Sequence, residues 1–177
     1  MPCAALERHP ATSCAALRGI EVSIVRKPEG LQVAYILEGE IERLRIPGPR
    51  APRIAERLWQ HTCCEIFIAR RGAPGYREFN LSPSGEWAAY AFERYREGGL
   101  LSDPALSPEI EVKQGPRRLE LSARIRLQDH IKLLIGLAAV IEEESGTLSY
   151  WALRHAPDKP DFHHPAAFAM ELDEVRH

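Results

Sequence analysis

Residues 118–126, RLELSARIR, alternate without a break. Leu119, Leu121, Ala123 and Ile125 fall on one side, and Arg118, Glu120, Ser122, Arg124 and Arg126 on the other. A hydrophobic period of two is the mark of a strand with one face buried. LQVAYIL (31–37) places Leu31, Val33, Tyr35 and Leu37 on one face, and EIEVK (109–113) repeats the pattern. The Gln114-Gly115-Pro116 corner between 109–113 and 118–126 predicts a hairpin. IEVSIVRK (20–27), IERLRI (41–46), CCEIFIA (63–69), YREFNL (76–81) and SYWALRH (149–155) also read as strands. LLIGLAAVIE (133–142) is apolar on both faces, which predicts a central strand covered on both sides.

Turn signals punctuate these runs at short spacing: Pro28-Glu29-Gly30, Pro47-Gly48-Pro49, Ala73-Pro74-Gly75, Ser82-Pro83-Ser84-Gly85, Gly98-Gly99 and Ser145-Gly146. Many short strands so punctuated predict an all-β fold, an antiparallel β-sandwich of the immunoglobulin or jelly-roll kind. Helices are expected to be short and confined to the N-terminus or loops. Two stretches fit either state. AALERHPATSCAAL has room for a short helix that Pro10 would end. In EWAAYAFERYREGG, Trp87, Tyr90, Ala91, Arg94 and Tyr95 have helical spacing, while Ala88, Tyr90 and Phe92 have strand spacing. The preceding turn and the aromatic content favour the strand. The whole chain, 1–177, reads as one domain with its core over about 20–172.

Composition narrows the function. The 177 residues are 45% apolar, which suits a globular domain. A net charge of −2 gives no electrostatic reason to expect nucleic acid. Glu7, Arg8, His9 and Pro10 interrupt any secretory apolar run, and no stretch reaches 18 apolar residues, so a cytoplasmic protein without a membrane span is expected. Four cysteines are too few for a disulfide scaffold, and none has CxxC spacing.

Candidate chemistry falls in three stretches. In LWQHTCCEIFIARRG (58–72), His61, Cys63, Glu65 and Phe67 share one face of an extended chain, and Cys64 sits with the isoleucines as a small buried hydrophobe. A Cys63–His61 pair or a metal site here is disfavoured, because residues two apart on a strand are roughly 6–7 Å apart. Glu65, a lone carboxylate among apolar neighbours, needs a partner, and Arg77 or Arg154 could supply one. The stretch SYWALRHAPDKPDFHHPAAFAMEL (149–172) gathers Trp151, Arg154, His155, Asp158, Asp161, His163 and His164 without an H-E-x-x-H pattern. It reads either as a polar loop or as a metal-assisted enzyme site built on Asp161, His163 and His155. YREFNLSPSGEW (76–87) carries ordinary turn chemistry at Ser82 and Ser84. No nucleophile elbow and no phosphate-cradling glycine loop is present.

Taken in order, Trp59, Cys63-Cys64-Glu65-Ile66-Phe67, Tyr76–Glu78–Phe79–Asn80, Ser82-Pro83-Ser84-Gly85, Trp151, Arg154 and His164-Pro165-Ala166-Ala167-Phe168 resemble the DOMON-like superfamily. Within it the chain is most similar to domains related to the family 9 carbohydrate-binding module. The resemblance implies an antiparallel sandwich that binds a small ligand, a sugar or a haem, on one face or at one end. Sugars are held by stacking on aromatic faces and by planar polar side chains that fork onto hydroxyls. The expected site residues are Trp87 or Trp151 as platforms, with Trp59 as the third candidate. Arg77, Glu78, Asn80, Arg154 and Glu65 supply the candidate polar forks, of which Arg77, Asn80, Arg154 and Glu65 are the expected hydrogen-bonding set, and His164 orders the last loop. Haem transfers poorly, because Met1 and Met170 are the only methionines available as axial ligands. The reading is therefore a non-catalytic module for a saccharide or sugar-containing metabolite, with no cofactor. Homodimerisation through a flat sheet face, as an interaction module, is the remaining alternative.

Overall fold

The structure is a computed structural model that describes residues 3–129 and 131–175, so Met1 lies outside the described residues. It is all-β. In chain order the strands are β1 (Cys3–Arg8), β2 (Leu17–Lys27), β3 (Gly30–Gly39), β4 (Cys63–Arg70), β5 (Tyr76–Leu81), β6 (Trp87–Arg94), β7 (Glu97–Leu100), β8 (Glu109–Gln114), β9 (Arg118–Arg126), β10 (Leu133–Glu142), β11 (Leu148–Ala152) and β12 (Met170–Leu172). Every named pairing is antiparallel. The order along the hydrogen-bonded path is β7-β6-β5-β4-β10-β11-β1-β2-β3-β9-β8, and β12 adds to the start of β10. β1 joins two layers: Cys3–Leu6 pair with β2, and Glu7 and Arg8 pair with β11. One layer is thus β2-β3-β9-β8, and the other is β7-β6-β5-β4-β10-β11.

The alternating strands point their apolar residues between the layers. Leu119, Leu121, Ala123 and Ile125 of β9 are buried there, as are Leu31, Val33, Tyr35 and Leu37 of β3. From the opposite layer come Cys64, Ile66 and Ile68 of β4, Phe79 and Leu81 of β5, Trp87 of β6 and Leu137, Ala139 and Ile141 of β10. Each fully buried large side chain of this kind contributes about 1.5–3 kcal/mol of transfer free energy. The Tyr35 hydroxyl donates to the Glu65 main-chain carbonyl at 2.7 Å, so the tyrosine's one polar atom is satisfied across the core. The 109–113/118–126 hairpin forms with Glu109 opposite Arg124. β10 is an interior strand of its layer, between β4 and β11, and is buried on both faces, as its unbroken apolar run predicts.

Three local expectations are corrected. IERLRI is a 3-10 turn at Ile41–Arg43 rather than a strand. Its buried residues, Ile41 and Leu44, are three apart, so the operative period is three and the charged pair between them faces solvent. The N-terminal stretch is strand β1, not a helix. SYWALRH stops pairing at Ala152, where the chain turns out of the layer toward the 153–169 segment. The Trp87–Arg94 stretch is a strand.

Candidate functional site

On the outer face of the β7–β11 layer lies a groove of about 710 Å³. Its shape follows from register. One row across the sheet reads Ala88, Asn80, Glu65, Ala138, Ala152 on β6, β5, β4, β10 and β11. The next reads Tyr90, Glu78, Phe67, Gly136. Alanines on both sides leave the surface low around Glu65, and larger residues rise at the edges. Trp59, Tyr90, Tyr150 and Phe162 form the aromatic walls. Gly98 at one edge has no space for a side chain: a Cβ there would sit 1.9 Å from the Ala91 carbonyl oxygen. β7 therefore lies flush against β6.

Two carboxyl groups form the floor. Glu65 is 3% exposed and Glu78 is 5% exposed. Glu65 faces Asn80 and Phe67 faces Glu78, so the two glutamates are diagonal neighbours on one face. Among the described residues, no side-chain hydrogen bond or ion pair reaches the Glu65 carboxyl, and the Glu78 carboxyl lies 3.5 Å from His163 Nε2. Burial raises the Glu65 pKa well above the usual carboxylate range, and the Glu78 charge raises it further. Burial pushes Glu78 up to about 7, while the nearby Asn80 amide and the Arg96 charge pull the other way. The Asn80 amide is itself buried, and neither its oxygen nor its nitrogen has a well-formed hydrogen bond.

A polar chain fixes the side wall. The Arg96 backbone N–H donates to the Tyr76 hydroxyl at 3.1 Å, and that hydroxyl lies 2.8 Å from His163 Nδ1. With its oxygen accepting from Arg96, Tyr76 donates to Nδ1, which leaves the ring proton on Nε2, facing Glu78. Burial and then the Arg96 charge lower the His163 pKa to about 4, so the ring is neutral at pH 7. The Arg96 guanidinium binds Asp161 Oδ1 at 2.8 Å, and the Tyr95 hydroxyl donates to the other oxygen of that carboxylate. Arg96 holds a left-handed backbone, φ 56°, at the β6–β7 turn. Below the groove, Phe67, Tyr76, Phe92, Phe168 and His163 pack as an aromatic plug, with Tyr76 and Phe92 stacked at 4.8 Å.

The structure brings together only part of the expected residue set. Trp87 and Trp151 are core residues at 2% and 5% exposure. Both face inward on their strands, and Trp151 Nε1 donates to Ser149 Oγ at 2.9 Å. Neither can present a ring to a ligand on the outer face. Trp59, 47% exposed in a 3-10 turn, is the tryptophan that lines the groove. Arg77 and Arg154 are exposed and do not line it, so neither partners Glu65. Asn80 stands beside Glu65 on the same face but is fully buried and does not line the groove. His164 caps the Pro165–Ala167 turn, its Nδ1 accepting from the Ala166 N–H at 3.1 Å. Of the polar candidates, Glu78 lines the groove beside Glu65, while Tyr90, Arg96 and Tyr150 carried no signal that joined them to one site. The same-face spacing of Tyr76, Glu78 and Asn80 was the available signal.

Other candidate chemistry does not assemble. Cys63 and Cys64 are buried, and burial followed by the Glu65 charge raises both thiols, so neither is an activated nucleophile. His61 contacts Glu142 Oε2 at 2.7 Å instead of a cysteine. Asp161 is committed to Arg96 and Tyr95, whereas His155 Nε2 contacts the Glu7 carbonyl oxygen. Among the described residues, no three His, Cys, Asp or Glu side chains converge as a metal site. The exposed large apolar side chains among them are Trp59, Tyr95 and Ile131, and none lies on a strand.

Comparison with solved structures gives the fold its relatives. A Bacteroides uniformis ATCC 8492 protein named for proposed carbohydrate binding superposes with a TM-score of 0.65 at 14% identity, over 94% of this chain and 84% of its own. The family 9 carbohydrate-binding module of Caldicellulosiruptor kristjanssonii does so in two complexes. With cellotriose the TM-score is 0.54 at 12% identity, over 85% of this chain and 72% of the module. With glucose it is 0.56 at 12% identity, over 95% and 83%. The chain has the family 9 module fold. No protein-family model and no curated protein matches its sequence.

Proposed function

We propose that this protein is a non-catalytic saccharide-binding module whose site is the groove over Glu65 and Glu78. The observation that carries the reading is the pairing of an exposed Trp59 and half-buried Tyr90 and Tyr150 with a polar floor. A pyranose presents apolar C–H faces and a rim of hydroxyls. Aromatic walls suit the first, and carboxyl groups, which accept and when protonated also donate, suit the second. The volume of about 710 Å³ falls within the range of small-ligand sites. Fold neighbours crystallised with glucose and cellotriose support the same ligand class.

Calorimetric titration with glucose, cellotriose and other oligosaccharides tests the proposal, with tryptophan emission as a second readout. Trp87 and Trp151 are sealed in the core, so a change in emission on binding reports Trp59. Saturable heat together with such a change is the expected result. No heat across the panel would overturn the reading.

A further inference from the structure

Resting on the saccharide reading, we propose that the groove selects sugars carrying an ammonium group, such as amino sugars, with the cation seated over the Glu65–Glu78 pair. Three independent features point there. First, the floor carries two buried carboxyls on one face of adjacent strands, and among the described residues no lysine or arginine forms an ion pair with either. The one cation close to the pair, Arg96, is held by Asp161 at 2.8 Å. Second, the remaining charges of the groove do not restore balance. Glu56 adds a third carboxyl, Lys159 at the rim is the one uncommitted cation of the groove among the described residues, and His163 is neutral at pH 7. The site is complementary to positive charge. Third, the walls are the aromatic faces of Trp59, Tyr90 and Tyr150, which attract cations as well as apolar sugar faces.

The apo site carries the cost of this arrangement. Two neighbouring carboxyls in a poorly hydrated floor cannot both ionise, so the pair retains a proton at neutral pH. A ligand ammonium removes the reason for keeping it. On binding, the cation enters as R–NH₃⁺, both carboxyls become carboxylates, and the displaced proton leaves to the buffer. A neutral sugar finds the pair still protonated and displaces nothing. Ligand charge is therefore coupled to proton release, which a purely steric or stacking site would not show.

The experiment compares cellotriose, the β1,4-linked glucosamine trimer and its N-acetylated counterpart by calorimetry at pH 7, each in two buffers of different ionisation enthalpy. The glucosamine trimer is expected to bind at least about tenfold tighter than the other two, a difference of about 1.4 kcal/mol. Its apparent enthalpy should shift between buffers by an amount equal to release of close to one proton, while the neutral trimers show no buffer dependence. In Glu78→Gln the affinity ratio should fall toward one, and Glu65→Gln serves as the second variant if the first does not fold. Equal affinity of all three trimers, or tighter binding without proton release, would overturn the ammonium inference and leave the saccharide reading standing. Binding of none of the three sinks both.

Discussion

The two outer faces of this sandwich have the same backbone pattern and opposite characters. On the β8–β9 side the outward residues are charged and pair loosely in solvent, as in Arg124–Glu109 at 3.2 Å and Arg118–Glu120 at 3.5 Å. On the β4–β5 side the outward residues are Glu65, Phe67, Tyr76 and Glu78, all buried under the 153–169 segment or within the groove. Solvated charges of the first kind contribute little to stability, typically under about 1 kcal/mol a pair. Buried carboxyls of the second kind cost stability, because the Asn80 amide and the Arg96 charge offset only part of their desolvation. Buried carboxyls with shifted pKa values cluster at functional sites, so the two glutamates and not the many surface arginines mark the proposed site.

That contrast can be broken at several points. The largest expected effect lies in neither outer face but between the layers. Trp87→Ala should cost about 3–5 kcal/mol in urea unfolding, because it opens a cavity in the core. A much smaller loss would place Trp87 outside the core and undo the correction to its role.

Next comes the pH dependence of the β4–β5 face, where two buried groups oppose each other. Glu78 is raised to about 7, so its folded form takes up a proton before the unfolded chain does, and acidification from pH 7 toward 4.5 stabilises the fold. His163 is lowered to about 4, so the unfolded chain takes up its proton first, and acidification from pH 6.5 toward 4 destabilises the fold. Each effect amounts to about 3 kcal/mol at most and the two have opposite signs, with the buried Glu65 adding to the Glu78 side. Relative to wild type, Glu78→Gln should lose stability on going from pH 7 to 4.5, and His163→Asn should gain it. Chemical denaturation at the two pH values reads both. Deviations of the same sign would mean that the pair does not titrate as the geometry requires.

Smaller still, Trp59→Ala should leave stability unchanged within about 0.5 kcal/mol, as for an exposed side chain. It should weaken saccharide binding by about 0.5–1.5 kcal/mol, the worth of one aromatic contact. On the opposite face, Arg124→Ala should move neither stability nor binding by more than about 0.5 kcal/mol.

Most of the architecture was legible because strand period is local. The alternation in 118–126 and the apolar run in 133–142 each named a strand and, through its faces, its layer. IERLRI misled because four alternating residues also fit a turn with a period of three. The site was less legible for a different reason. Which face of a strand is the floor of a groove depends on how low its neighbours are, and Ala138, Ala152 and Ala88 come from three distant segments. Trp87 and Trp151 drew attention by residue type, yet their neighbours Ala89 and Ala139 share the inward face. Trp59 sits in a short turn with no period to read. Arg77 and Arg154 are charged residues near the right strands that point into solvent.

Backbone amide shifts recorded by NMR during titration with an oligosaccharide test the central claim most directly. Shifts are expected only at the turn at 58–60, in β4 and β5 around Glu65 and Glu78, at 90–100 and at 159–163. Shifts centred on β8 and β9, or none at saturating sugar, would contradict it.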